Sequence, residues 1–302
     1  MVTVDLGAAP PVPPAAGGAL GALPRRLSLT RPELLVVAEH AGGAPLPFEP
    51  PGTGAGREER LDDRLGRTPG TGDRLDLQAV LGRLHDPRAT LARRGLLVGD
   101  VLDEGLSGAI GLLASPRVAV DLDVTVGDVR VRAWHRERGG AVASLATADG
   151  IVFELSWFPA ERWAAELART AVLPEHVPTG PSAVPALLDL PYGLVDAAAE
   201  AEPARRDGLL SALAAQHDIG LDVVPVLAAL STETAGRLRA LVADISGKQT
   251  TVAGVVSWLL LADGWHALRT HRTEAGDRLE VRRVEAADLA TELAPVLAEV
   301  RA

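Results

Sequence analysis

The stretch GIVFELSWFPAERWAAELA, residues 150–168, returns without a gap as GDRLEVRRVEAADLATELA, residues 276–294. Gly150/Gly276, Glu154/Glu280, Ala160/Ala286, Ala164/Ala290, Glu166/Glu292, Leu167/Leu293 and Ala168/Ala294 are identical. Apolar character is kept where identity is not: Phe153 with Leu279, Leu155 with Val281, Phe158 with Val284, Trp163 with Leu289. Upstream, after a two-residue change of offset that a loop would absorb, Val131, Trp134 and Gly140 fall on Val255, Trp258 and Gly264. Each copy reads as strands joined by turns and closed by an amphipathic helix. A unit of this length cannot bury its apolar face alone, so two copies packed together are the natural structure.

Working outward, the residues before the first copy alternate in period two. Val118, Val120, Leu122, Val124 and Val126 are interleaved with Ala119, Asp121, Asp123 and Thr125, the pattern of a sheet with one wet face. Gly127-Asp128, Gly139-Gly140 and Asp149-Gly150 are turn signals that divide an antiparallel meander into strands over 118–126, 129–135, 141–147 and 151–157. Pro159 opens the helix that follows. The second copy begins with a strand over 237–245. Next come Val252–Leu261, apolar on both faces and expected to be covered on both, then 265–272 and 278–284. Its closing helix buries Leu289, Leu293, Val296, Leu297 and Val300 and carries Pro295, which removes one backbone donor.

Helices precede each meander. Thr30-Arg31-Pro32-Glu33 is a capping box with Pro in the first turn, and Gly42-Gly43 ends that helix. Helices are expected at 58–65 and 73–84, from Asp86-Pro87 to Gly95, and over 100–115, where Leu102, Leu106, Ile110 and Leu113 share a face. Residues 174–191 form a Pro-rich crossover, followed by helices at 204–216 and 221–230. Residues 1–27, rich in Pro, Ala and Gly without periodicity, read as a disordered arm. The fold class is therefore α+β. A duplicated antiparallel meander-plus-helix forms a central sheet through a pseudo-twofold, with helical bundles flanking it. It makes one domain over 28–302, built of similar halves at 28–175 and 176–302.

Composition narrows function. The chain has no cysteine, which removes disulfides, thiolate zinc sites and cysteine nucleophiles. Its net charge of −10, with no basic block, repels phosphate backbones, so a nucleic-acid partner is not expected. The N-terminal segment lacks the basic start and apolar core of a signal peptide, and the longest uncharged apolar run, 252–262, is too short to span a bilayer. A cytoplasmic protein without membrane insertion is the expectation.

Motifs that resemble sites fail on their chemistry. Ser246-Gly247-Lys248-Gln249-Thr250 lacks the upstream glycine of a phosphate loop and leads into a strand, not a helix N-terminus. Gly52, Gly54 and Gly56 follow a Pro-rich loop, not a strand. Asp121 and Asp123 share a strand face and could pair for acid–base or metal work. No His or third carboxylate in the neighbouring pattern completes them, and a solvated strand face accounts for both. The seven histidines are scattered, His266 and His271 fall on opposite faces of one strand, and neither HExxH nor GxSxG occurs. The reading is a non-enzyme with no cofactor and no metal. Trp134 and Trp258 match across the repeat, which favours sheet packing over a ligand box, while a Trp left on an open face could anchor a partner.

Four segments resemble the EspG family, the secretion-associated chaperones of type VII (ESX) systems. They are LTRPELLVVAEHAGGAPLPF, LARRGLLVGDVLDEGLSGAIGLLASPRVAVDLDV, the meander closed by FPAERWAAELA, and SWLLLADGWHALRTHRTEAGDRLEVRRVEAADLATEL. In this order they span about residues 28 to 300. The resemblance implies a non-enzymatic cytosolic chaperone that grips the helical tip of PE–PPE heterodimers and keeps them soluble until export. The candidate partner-binding residues are Arg136, Arg138 and Gly139 of one hairpin, with Trp157 and Trp265. The arm and the 45–75 region are departures that the resemblance does not explain. Two alternatives stand beside it: a homodimeric scaffold joined through a sheet edge with no export role, and a small-molecule binder using the Asp121/Asp123 face.

Overall fold

The computed structural model describes residues 24–48, 85–200, 206–217, 219–247, 250–274 and 276–301. Its strands are β1 (Arg25–Thr30), β2 (Leu97–Val98), β3 (Val101–Leu102), β4 (Val118–Val126), β5 (Val129–Arg138), β6 (Ala141–Thr147), β7 (Val152–Pro159), β8 (Leu187–Pro191), β9 (Gly236–Asp244), β10 (Thr251–Leu261), β11 (Gly264–Thr273) and β12 (Gly276–Val284). Its helices are α1 (Arg31–His40), α2 (Pro87–Arg93), α3 (Glu104–Ala114), α4 (Trp163–Ala171), α5 (Tyr192–Glu200), α6 (Arg206–Gln216), α7 (Val223–Thr232) and α8 (Asp288–Arg301).

Ten strands form one antiparallel sheet in the order β1-β7-β6-β5-β4-β9-β10-β11-β12-β8, and β2 and β3 make a separate hairpin. The α+β class expected from the repeat holds. Read from β4 and β9 outward, the order is the same in both directions: four consecutive strands of one copy, then one strand from outside the repeat. By their contacts the described residues divide into two compact units, those up to Ala119 with Trp134–Ala160, and Val120–Ala133 with those from Glu161 onward.

In the first unit, local signals set the helices. The Thr30 hydroxyl accepts from the Glu33 backbone while the Glu33 carboxylate accepts from the Thr30 backbone N–H at 2.7 Å, the reciprocal capping box. Asp86 caps α2 by accepting from Arg88 and Ala89, and Asp103 caps α3 by accepting from Leu106. These helices place Leu34, Val37, Leu91, Leu106, Ile110 and Leu113 against Ala143, Leu145, Phe153, Leu155 and Trp157 of the sheet. Phe48 stacks on Phe153 at 4.8 Å between ring centroids.

In the second unit, both faces of the second meander meet helices, at different places. Toward the β12 side, Leu194, Leu210 and Leu227 of α5, α6 and α7 pack with Leu261, Leu279 and Val281. On the opposite face of the sheet, α8 lies over β9 and β10, where Leu238, Ala240, Val242, Trp258 and Leu260 are buried. Glycine permits this approach: a Cβ at Gly254 would sit 2.9 Å from Val296 Cγ1 of α8. A second glycine, Gly236, is held against backbone, since a Cβ there would run into the Thr125 carbonyl oxygen.

Several expectations are corrected. The helix expected over 100–115 starts only at the Asp103 cap, because Gly99 at φ +61° turns β2 into β3 and takes Leu102 with it. The crossover over 174–191 contains β8, paired with β12, and α5 follows directly. β1 takes residues 25–27 of the stretch read as an arm. β10 is not covered on both faces: Val252 is 55% exposed and Val255 43%. The helices expected at 58–65 and 73–84, the glycines at 52–56, residues 1–23 of the arm, and Lys248 and Gln249 lie outside the described residues.

Candidate functional site

The open part of β10 defines a face. Residues directly opposite in an antiparallel pair point the same way. Val255 is opposite Leu241, Ser257 opposite Arg239, and Leu259 opposite Arg237. An irregularity between Val252 and Gly254 shifts the register by one, which returns Val252, opposite Ala243, to the same side. This side carries exposed Arg237, Arg239, Val252 and Val255 and half-buried Leu241 and Ser257. The other side of β9, made of Leu238, Ala240 and Val242, is sealed. Alternation along β9 thus sends Leu238, Ala240 and Val242 to the core and Arg237 and Arg239 to solvent.

β4 and β5 extend the charged part. The Arg130 Nε donates to Asp123 Oδ1 at 2.9 Å, and its Nη2 also reaches Asp123. Hydrogen bonding from Arg130 is the main influence holding the Asp123 carboxyl below the usual carboxylate range, partly opposed by burial and assisted by the charges of Arg130, Arg132 and Arg239. Arg132, Arg237 and Arg239 make no hydrogen bond or ion pair among the described residues. Asp121 is half-buried and already engaged.

This geometry does not suit Asp123 to acid–base work. A general acid or base at neutral pH needs a carboxyl raised toward that pH, and Asp123 is moved the other way. Among the described residues no three His, Asp or Glu side chains come together as a metal would require.

The five residues singled out from the sequence divide by burial. Arg138 and Gly139 are exposed at the β5–β6 turn, where Gly139 adopts φ +61° and Arg138 donates to the Ser115 carbonyl at 3.2 Å. Arg136 is buried and donates to the His135 carbonyl at 3.0 Å. Trp157 is 3% exposed in the first core, beneath the Arg25 guanidinium at 5.0 Å from its ring centre. Trp265 is 3% exposed in the second unit and gives its indole N–H to the Ala171 carbonyl at 2.8 Å. These two tryptophans are packing residues, since the large flat rings that could anchor a partner are spent on the interior. Sequence reasoning passed over Arg132, Arg237, Arg239, Val252 and Val255. The signal was present as arginines two apart in period-two strands, but it was masked by reading 252–261 as wholly buried.

His266 is fully buried with Nε2 2.8 Å from Asp263 Oδ1, whereas His271 is exposed, in keeping with opposite faces. A further apolar exposure lies in the first unit, at Val98 and Val101 of the β2–β3 hairpin, 72% and 71% exposed. Among the described residues no helix is long and apolar enough to cross a membrane.

No protein-family model matches the chain, and no curated protein matches it. A solved structure does: the Mycobacterium tuberculosis type VII secretion system chaperone EspG5, determined in complex with a PE25–PPE41 dimer. The alignment covers 90% of this chain and 96% of that one, with a TM-score of 0.61 and 12% sequence identity. At that identity the likeness is one of fold: the fold of this chain resembles that of EspG5.

Proposed function

We propose that this protein is a non-enzymatic chaperone that binds helical partners of the PE–PPE type in the cytoplasm and keeps them soluble for export by a type VII secretion system. The observation that carries the reading is the fold shared with EspG5 along nearly the whole of both chains. The surface supports it. A helical partner with exposed apolar side chains gains by moving them from water onto a complementary surface. The β9–β10 face offers valines for that purpose and arginines to set orientation. Arg138 and Gly139 at the β5–β6 turn are proposed as a further contact, being exposed and held in a defined turn.

Co-expression tests this directly. The full chain is produced with each PE–PPE-like pair from the same genome, and soluble complexes are sought by affinity capture and light scattering. A stoichiometric complex with one pair supports the reading. If every pair stays insoluble and unbound while the chain itself is folded, the chaperone function fails. A homodimer of the chain that no pair displaces points instead to the scaffold role.

A further inference from the structure

We infer that the open face of β9–β10, with its neighbours β4 and β5, recognises an acidic amphipathic helix: a protein segment with carboxylates placed about one turn apart beside an apolar stripe. The inference deepens the proposed function and rests on it for the setting, but its evidence is the chemistry of this face alone.

The chain carries 40 Asp and Glu against 30 Lys and Arg. In so acidic a protein an exposed guanidinium readily finds an internal carboxylate. Arg130 does so with Asp123. Among the described residues Arg132, Arg237 and Arg239 do not, although all three are exposed and the charges of Arg132 and Arg239 are felt at Asp123. Guanidinium forks match carboxylates in two-point geometry, so Arg237 and Arg239, two apart on β9, and Arg132, which with Arg239 acts on Asp123, are receptors for them.

The occupant's shape follows from the strands. β9 lies between β4 and β10, so both its edges are already paired and an added strand finds no backbone to join. Recognition must run through side chains. Arginines two residues apart on a strand stand about 6.6 Å apart, and carboxylates four apart on a helix about 6 Å. Val252 and Val255 lie on the same side, further along β10, and supply the apolar contact. A nucleic acid would also seek arginines, but it would be repelled by the net charge of −10 and would leave the valines unused.

The test uses the full chain and two fluorescein-labelled helical peptides of identical leucine stripe, one flanked by Glu at i and i+4, the other by Lys. A labelled oligothymidylate serves as the phosphate control, and binding is read by fluorescence anisotropy. The Glu peptide is expected to bind at least about tenfold more tightly than the Lys peptide, with affinity falling as salt rises. The triple variants R132E/R237E/R239E and R132Q/R237Q/R239Q, shown folded by circular dichroism, should respectively reverse and abolish the preference. V252D should weaken both peptides. Equal binding of the two peptides, no binding of either, an unchanged preference in the glutamine variant, or tighter binding of the oligothymidylate overturns the inference. Failure here with success in co-expression sinks only the acidic-helix specificity. Peptide preference without any co-expressed complex sinks the chaperone role instead.

Discussion

Trp258 gives its indole N–H to the Glu292 carboxylate across 3.3 Å, tying β10 to α8 through two buried side chains. The other oxygen of Glu292 accepts from Arg269 at 2.8 Å and Arg282 at 2.9 Å, so one carboxylate satisfies three donors from three strands. Replacing it strands the indole N–H, takes the carboxylate from Arg269 and leaves Arg282 with Glu280 alone, 3.8 Å away. Glu292→Ala is expected to cost about 2–3 kcal/mol, and Glu292→Gln less, because the amide oxygen still accepts. Urea unfolding of the two variants checks the ranking, and equal losses would count against a role for the charge.

Close approach at two glycines gives a second test. Gly236→Ala forces a methyl onto the Thr125 backbone oxygen, which cannot rotate away, and should cost more than about 2 kcal/mol. Gly254→Ala instead meets the Val296 side chain. Its loss should be smaller and partly restored by adding Val296→Ala, a coupling that a double-mutant cycle measures. No restoration in the double variant would mean that α8 does not sit where the glycine allows.

The Asp123–Arg130 pair predicts a pH signature. The folded carboxyl titrates below its unfolded value of about 3.9, so the unfolded state binds the proton first as pH falls. The stabilisation is fully present above about pH 4 and disappears as pH drops through the folded value. Wild type should therefore be more stable than Asp123→Asn by a constant margin from neutral pH down to about 4, and the margin should close below it. A margin that persists unchanged into strong acid would assign the effect to packing, not charge.

Burial separates two kinds of variant among the residues first singled out. Trp157→Ala and Trp265→Ala remove large side chains from closed cores and should each cost about 3–5 kcal/mol in stability. Arg138→Ala, on an exposed turn, should change stability by less than about 0.5 kcal/mol and show its effect in the yield of the co-expressed complex. Thermal melts and complex yield, measured side by side, distinguish them.

The repeat made the fold legible because its glycines and apolar positions lie where strand ends and buried faces must be. Capping residues did the same for α1 and α2, whose starts at Thr30 and Asp86 follow from side chains that can accept backbone hydrogen bonds. Less legible was which way a matched residue faces. Trp134 and Trp258 align in sequence, yet Trp134 shares a cluster with Phe153 and Leu155. The counterparts of those two, Leu279 and Val281, lie on the face opposite Trp258, since Ser257 is paired with Leu268 and Leu268 with Val281. A one-residue difference in register inverts a side chain, and a loop of changed length conceals it. The valines of β10 failed differently: an apolar run announces burial, and only tertiary structure tells which end of a strand a helix covers. β1 and β8 were missed because five or six residues carry too little periodicity to stand out from a Pro-rich background.

Those two short strands set a limit on growth. Each copy of the meander ends in a strand, β7 or β12, whose outer side could accept another strand from any neighbouring molecule. A chain made by duplication inherits that hazard twice, because a half that can pair with its twin can in principle go on adding more. β1 occupies the outer side of β7 and β8 that of β12. Both strands are brief, with Arg25 and Arg26 on one and Asp189 and Pro191 on the other, a composition poorly suited to recruiting a further strand. They work as terminators, and they come from sequence that the duplication did not copy, so among the described residues the doubled sheet stops at ten strands.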